Sequence, residues 1–327
     1  MQNQFASPLT FITVLFRDQV ELHLMQLQAY SFCMVCESII GNIYVVIEGI
    51  RRDDPLFNEY EEIITKAYPP SLRHYVCIYS GYDYIPDNAN YNPKFGWYNQ
   101  QALKLLAACS VGTKYSIVLD AKNHFIGPVN LESFFTGGVP HYFLEKHAPD
   151  MRRFWDNSID FFCARDIFAN SDFKVQTVTP FVFNTESVSH VVATICRRSQ
   201  VELHEALPLH SITEFFAYFV CTFCADPPTE VRQSRNSLAS SAFHIQQSPL
   251  AVTIGKHCPA EHRWNSFANR MAILAQHQTI KTFSIHRGAI KYLDEDYKKS
   301  LIKFYSDIYS NLVVEFIKTR ILYQSAG

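Results

Sequence analysis

Residues 115–123 read YSIVLDAKN, an apolar run that ends on Asp120, with Lys122 two positions on. An aspartate closing a buried strand has two ordinary uses: it caps the next turn, or it organises a ligand at the strand's end. A charged lysine cannot share a cation with that aspartate, but it can meet an anion directly. A second group lies just upstream in GWYNQQALKL, where Trp97, Gln101 and Lys104 fall at i, i+4 and i+7 and share one helix face, with Gln100 beside them. An aromatic plane, two amides and a cation suit a nucleotide or a sugar; the same residues also make an ordinary solvated face with a half-buried tryptophan. Glu214 is the lone charge at the head of EFFAYFVCTFCA, where burial would raise its pKa toward the range of a general base. Its alternative is structural, stabilising the first turn of a helix capped by Ser211 or Thr213. Asp156 and Asp160 in FWDNSIDFF share a helix face and form a lesser pair, more often solvated.

The elements that must position these residues alternate between strand and helix. FITVLF (11–16) has the pattern of a strand, and Asp18 opens a segment with Val20, Leu24, Leu27 and Met34 near helical spacing. NIYVVIEG repeats the strand and NEYEEIITKAY the helix; HYVCIYS, GWYNQQALKLLAACS and YSIVLD complete four strands joined by three helix-length segments. That order predicts an α/β fold with a mostly parallel sheet flanked by helices, in which ligands bind outside the carboxyl ends of the strands. Asp120 stands at one such end; Arg17 with Asp18, Glu48, and Tyr79 with Ser80 stand at others. VTPFVFN reads as a further strand and NTESVSHVVATICRRS as a helix capped by Asn184. ADPPTEVRQSRNSLASSAFHIQQSP reads as an exposed loop, in which Arg232 and Arg235 either close over a phosphate or are simply solvated. From Tyr297 to Tyr323 an apolar stripe predicts a terminal amphipathic helix packed on the core, with homodimerisation or docking to a membrane complex as the other uses of such a face.

A formal net charge of -2 over 327 residues gives no general attraction for nucleic acid, so any anion site must be local. Hydrophobic residues at 48% are ample for a buried core. An odd number of cysteines, nine, without an N-terminal basic-then-apolar signal predicts a cytoplasmic chain with reduced thiols. The pairs Cys33/Cys36 and Cys221/Cys224 fall in apolar, helix-like segments, where cysteine behaves as a small hydrophobe; His257, Cys258 and His262 lack a fourth ligand nearby. No P-loop, nucleophile elbow or HExxH motif occurs, which argues against phosphate transfer and hydrolysis.

In order along the chain, FITVLFRDQVELHLMQLQAYSF, GWYNQQALKL, YSIVLDAKNHFI, VTPFVFN, ITEFF and FSIHRGA resemble a bacterial family of poorly characterised glycosyltransferases, a domain of unknown function found mainly among surface-polysaccharide genes. The resemblance covers about residues 10 to 295, and the family is related in pattern to GT-A glycosyltransferases. It implies a Rossmann-like GT-A domain over 1–295, with a donor half at about 1–128 and an acceptor region at about 130–275, followed by the helical addition 296–327. It also implies transfer of a sugar from a nucleotide-sugar to a glycan or lipid-linked acceptor, in the cytoplasm or peripherally at the inner face of the membrane.

Under the resemblance Asp120 is the first acid of the GT-A motif and acts on the donor diphosphate, and Glu214 is the acceptor-side base. Arg17, Glu48, Trp97, Gln100, Gln101, Lys104, Lys122 and Arg287 line the donor. The motif departs from D-x-D, because its third position is Lys122. Two resolutions follow: Asp120 and His286 hold a magnesium or manganese ion, or Lys122 neutralises the diphosphate itself. A non-catalytic protein that keeps the fold as a scaffold for a polysaccharide assembly complex is the alternative from a different class.

Overall fold

Seven consecutive residues, LTFITVL, form β1 (Leu9–Leu15), and all seven are buried, as a strand covered on both faces requires. The computed structural model describes residues 8–85, 96–143, 151–168, 176–225, 244–246, 251–254, 280–290 and 293–323. Helix α1 (Gln19–Ser31) starts where the Asp18 carboxylate accepts from the amides of Val20 and Glu21, an N-cap that satisfies two of the helix's orphan donors. β2 (Ile40–Ile47) follows, then α2 (Pro55–Ala67) behind its Asp54 cap, β3 (Val76–Ser80), α3 (Gly96–Ser110) and β4 (Tyr115–Asp120).

Beyond β4 come the short strands β5 (Asn123–Phe125), β6 (Phe135–Thr136) and β7 (Val139–Phe143), then α4 (Arg152–Phe161), α5 (Arg165–Phe168) and β8 (Phe181–Asn184). Asn184 caps α6 (Thr185–Ser199) through the Ser187 amide, and α7 (Leu203–His210) and α8 (Glu214–Ala225) follow. The main sheet has the order β3-β2-β1-β4-β8; its first three pairings are parallel and β8 runs antiparallel to β4.

This order fixes where a ligand can sit. The chain steps outward from β1 through β2 to β3, then returns through α3 to place β4 on the other side of β1. Outside the carboxyl ends of β1 and β4 the connections diverge, and a crevice opens at that switch point. Asp120 pairs in register with Val14, one residue from the end of β1, so it and the segment Phe16–Asp18 border the crevice. Helix α1 packs on α2, whereas α3 packs on α6, α7 and α8.

A second, smaller body of structure backs the crevice. β9 (His244–Gln246) pairs with β7, so the stretch read as a continuous loop contains a strand. β10 (Ala251–Ile254) and β11 (Thr282–Ile285) join β5 in a three-stranded sheet, followed by α9 (Arg287–Ile290). The terminal apolar stripe is not one helix. It divides into α10 (Glu295–Ser306) and α11 (Asn311–Phe316), the latter continuing as a π turn over Ile317–Leu322. At the break, Ser310 is extended and the Tyr309 hydroxyl donates to the Phe125 carbonyl, which lets the second segment fold back against α1. Leu24 and Leu27 of α1, Phe283 and Ile285 of β11, and Tyr297, Leu301 and Tyr305 of α10 share the resulting apolar cluster.

Cys33 and Cys36 are exposed around a short turn after α1, not buried in a helix as their apolar setting suggested; Cys221 is buried. Arg232, Arg235, His257, Cys258 and His262 lie outside the described residues. Among the described residues no helix is long and apolar enough to cross a membrane.

Candidate active site

The helical spacing of Trp97, Gln101 and Lys104 produces one connected face. Lys104, whose side chain is 9% exposed, reaches across the end of β4 to Asp120 Oδ1 at 2.8 Å and to Glu214 Oε1 at 3.3 Å. With the Gln101 amide turned so that its nitrogen faces Glu214, it donates to Oε2 at 2.7 Å and its oxygen accepts from Trp97 Nε1 at 3.3 Å. The Lys104 ammonium also lies 5.4 Å from the centre of the Phe215 ring. Burial alone would push the Lys104 pKa down, but Asp120 and Glu214 outweigh it and hold the pKa above the usual lysine value. Burial likewise raises Glu214, against the pull of Lys104.

Asp120 carries a second ammonium. Lys122 Nζ lies 3.0 Å from Oδ2, and the Thr179 hydroxyl donates to the same oxygen at 3.0 Å. Burial opposes ionisation of Asp120, yet Lys104 and Lys122 together hold its carboxyl well below the ordinary range. The backbone beneath is fixed by buried amides. Gln28 donates to the carbonyls of Asp120 at 2.7 Å and Asn123 at 2.9 Å while accepting from the Thr13 hydroxyl. Asn123 accepts from the Asp120 amide at 2.6 Å and donates to Ser284 Oγ at 2.6 Å. The turn that presents Lys122 is therefore tied to β1, α1 and β11 at once.

The facing wall comes from α1 and α9. Arg287 lies 3.5 Å from both Asp18 and Glu21, and its guanidinium sits 5.0 Å from the centre of the Phe16 ring. Glu21 keeps 18% of its side chain exposed. Burial lifts its pKa from 4.5 to about 7, opposed by Arg287 and Lys122 and reinforced by Asp120 and Asp18. Arg17, exposed, follows β1 at the lip of the same crevice.

Other expected residues lie elsewhere or do different work. Glu48 is fully buried, with Gly96 at the start of α3 close above its carboxylate. Ser80 is buried and caps the turn after β3, and Tyr79 packs between Tyr44 and Tyr84. Gln100 is half-buried and sits one position round the helix from Gln101, while Trp97 keeps 48% of its surface exposed. Asp156 and Asp160 pair with the surface arginines Arg152 and Arg165.

The described residues do not fit a divalent cation. Both Asp120 oxygens face ammonium groups, His286 Nδ1 accepts from the Gly288 amide, and no group of three or more His, Cys, Asp or Glu side chains among the described residues is arranged to hold a metal. A hard cation needs several oxygen ligands, and both oxygens of Asp120 are already held by ammonium groups.

Residues 57–244 match the family described as "Family of unknown function (DUF6492)". The chain belongs to this family. No curated protein sequence matches it. Among solved structures, the apo form of the bifunctional glycosyltransferase WbbM is 12% identical with a TM-score of 0.46, over 97% of this chain and 52% of that one. Apo mouse xyloside xylosyltransferase 1 is 9% identical with a TM-score of 0.41, over 85% and 97%. The DUF6492 chain thus spans about half the length of the WbbM structure.

Four residues of this DUF6492 member join the site without having been singled out from the sequence: Glu21, Gln28, Asn123 and Thr179. Glu21 and Gln28 are seven apart on α1 and so share a face, and Asn123 stands inside the LDAKN segment. That shared spacing was the available signal. Thr179 left none, because only the pairing of β8 with β4 brings the segment before β8 to Asp120.

Proposed function

We propose that this chain is a glycosyltransferase that holds a nucleotide-sugar in the crevice at the ends of β1 and β4. One observation carries the reading: a nearly buried lysine, Lys104, bridges Asp120 and Glu214 at the switch point of a mainly parallel sheet, with Lys122 and Arg287 nearby. An ammonium has three donors, so Lys122 can keep Asp120 and still donate a hydrogen bond to a phosphate oxygen. In this reading Lys122 and Arg287 neutralise the donor diphosphate where other enzymes use a metal, and Asp120 orients the lysines. Trp97 offers its exposed ring face to a sugar, and Glu214, which retains lone pairs beyond those facing Lys104 and Gln101, takes the acceptor hydroxyl's proton. The sequence resemblance supports a glycan or lipid-linked acceptor in bacterial surface-polysaccharide synthesis, at the cytoplasmic face of the membrane.

The test is release of free nucleotide from UDP-, GDP-, dTDP- and CMP-sugars, with manganese or with a chelator, comparing wild type and Asp120→Ala. Turnover of one donor that persists in chelator and is lost in the variant is the expected result. Turnover only with manganese would sink the lysine-based chemistry. Nucleotide binding that never leads to turnover, even with glycan acceptors supplied, would favour the scaffold reading, which the doubly held Asp120 also suits.

A further inference from the structure

We infer that Glu21 is a catalytic residue, the carboxylic acid that delivers a proton to the departing diphosphate. The inference rests on the donor reading above and supplies what that reading lacks. A diphosphate leaving without a divalent cation develops charge that Lys122 and Arg287 offset only by pairing, and a positioned acid relieves the rest.

The geometry separates Glu21 from the other described carboxylates of the crevice. Asp120 faces two ammonium groups and a hydroxyl. Glu214, held by Lys104 and Gln101, already serves the acceptor side in that reading. Asp18 caps α1, and Glu48 is fully buried. Glu21 combines an open edge with a position one turn into α1, against Arg287 and within electrostatic range of Lys122, the two cations proposed to hold the phosphates. The charged groups that face it are Asp18 from the cap of α1, Arg287 from α9, Asp120 from β4 and Lys122 from the turn after it. Burial leads this set and keeps the carboxyl partly protonated near neutrality.

The step balances as a displacement. The acceptor oxygen bonds to the anomeric carbon and its proton passes to Glu214. The bond from that carbon to the β-phosphate oxygen breaks, the electron pair stays on the oxygen, and the oxygen takes the Glu21 proton. Glu21 is left as a carboxylate beside Arg287, whose charge stabilises it.

The experiment uses Glu21→Gln and Glu21→Asp in the full chain with the donor found active in the panel above. Glu21→Gln is expected to lower kcat about 100-fold with donor KM little changed. Wild-type activity should fall as pH rises through about 7, and that limb should vanish in Glu21→Gln while Glu21→Asp restores part of the rate. Calorimetry with UDP, GDP and dTDP in two buffers at neutral pH should show proton uptake by wild type and none by Glu21→Gln. A Glu21→Gln enzyme with wild-type kcat and an unchanged pH profile would overturn the inference while leaving the donor reading intact. Absence of any nucleotide binding to wild type would overturn both.

Discussion

Lys104 is almost closed off from water and still charged, because two carboxylates lie within 3.3 Å of its ammonium. Removing one member of such a group costs more than the group contributes, since the remaining charges are stranded out of water. Lys104→Met should therefore lower stability by about 3 to 5 kcal/mol, read as a drop in the urea midpoint at neutral pH. A loss below about 1 kcal/mol would mean that water reaches this end of the sheet. Glu21 makes an opposite prediction about pH. Its folded pKa, about 7, lies above the ordinary glutamate value of 4.5, so between those values the folded chain keeps a proton that the unfolded chain releases. Stability then declines as pH rises through that window. Glu21→Gln should gain melting temperature relative to wild type between pH 4.5 and 7, and parallel curves would show that Glu21 titrates normally.

At the scale of elements, the site depends on how the β4–β5 turn is held. Asn123 satisfies the Asp120 amide and Ser284, and Gln28 satisfies two carbonyls of the same turn. Asn123→Ala leaves the amide and the hydroxyl without that partner inside the protein, a cost of about 1 to 3 kcal/mol. The same variant should weaken nucleotide binding through Lys122, whereas Ser189→Ala on α6, remote from the turn, should not; titration with UDP or GDP separates the two. The elements that place these groups were legible because their signals are local. FITVLF is a short, mostly apolar run, Asp18 and Asn184 announce helix starts, and Trp97, Gln101 and Lys104 declare a common face by spacing alone. Contacts between distant segments were not legible. Glu21 acquires its environment from Arg287, and Asp120 acquires Thr179 only because β8 pairs antiparallel to β4. The break between α10 and α11 was hidden too, since the apolar stripe continues through it and only the hydroxyl bond from Tyr309 to Phe125 reveals the change of direction.

Across the whole molecule, two apolar clusters meet at α1. One face of the helix gives Leu22, Met25 and Ala29 to the main sheet's core, and the other gives Leu24 and Leu27 to the cluster built by β11 and the terminal helices. Tyr305 adds a polar tie, its hydroxyl 2.9 Å from His124 Nε2, and burial pushes the His124 pKa down to about 3, so the imidazole is neutral there at physiological pH. β5 is thus held from behind by the terminal helices while its leading residue, Asn123, holds the Asp120 turn in front. A helix shared between two cores cannot leave one without exposing the other, so the described parts should unfold together. Leu301→Ala, in the rear cluster, should lower stability by about 2 to 5 kcal/mol and keep a single transition. With Trp97 and Trp264 replaced by phenylalanine, fluorescence reports on the front cluster through the buried Trp155 alone, and far-ultraviolet circular dichroism reports on every helix. Coincident urea curves from the two probes, both moved to the same lower midpoint, are the expected result. If fluorescence kept its wild-type midpoint while part of the dichroism was lost earlier, the terminal helices would be a separately folding addition, and control of the catalytic turn from behind β5 would have to be given up.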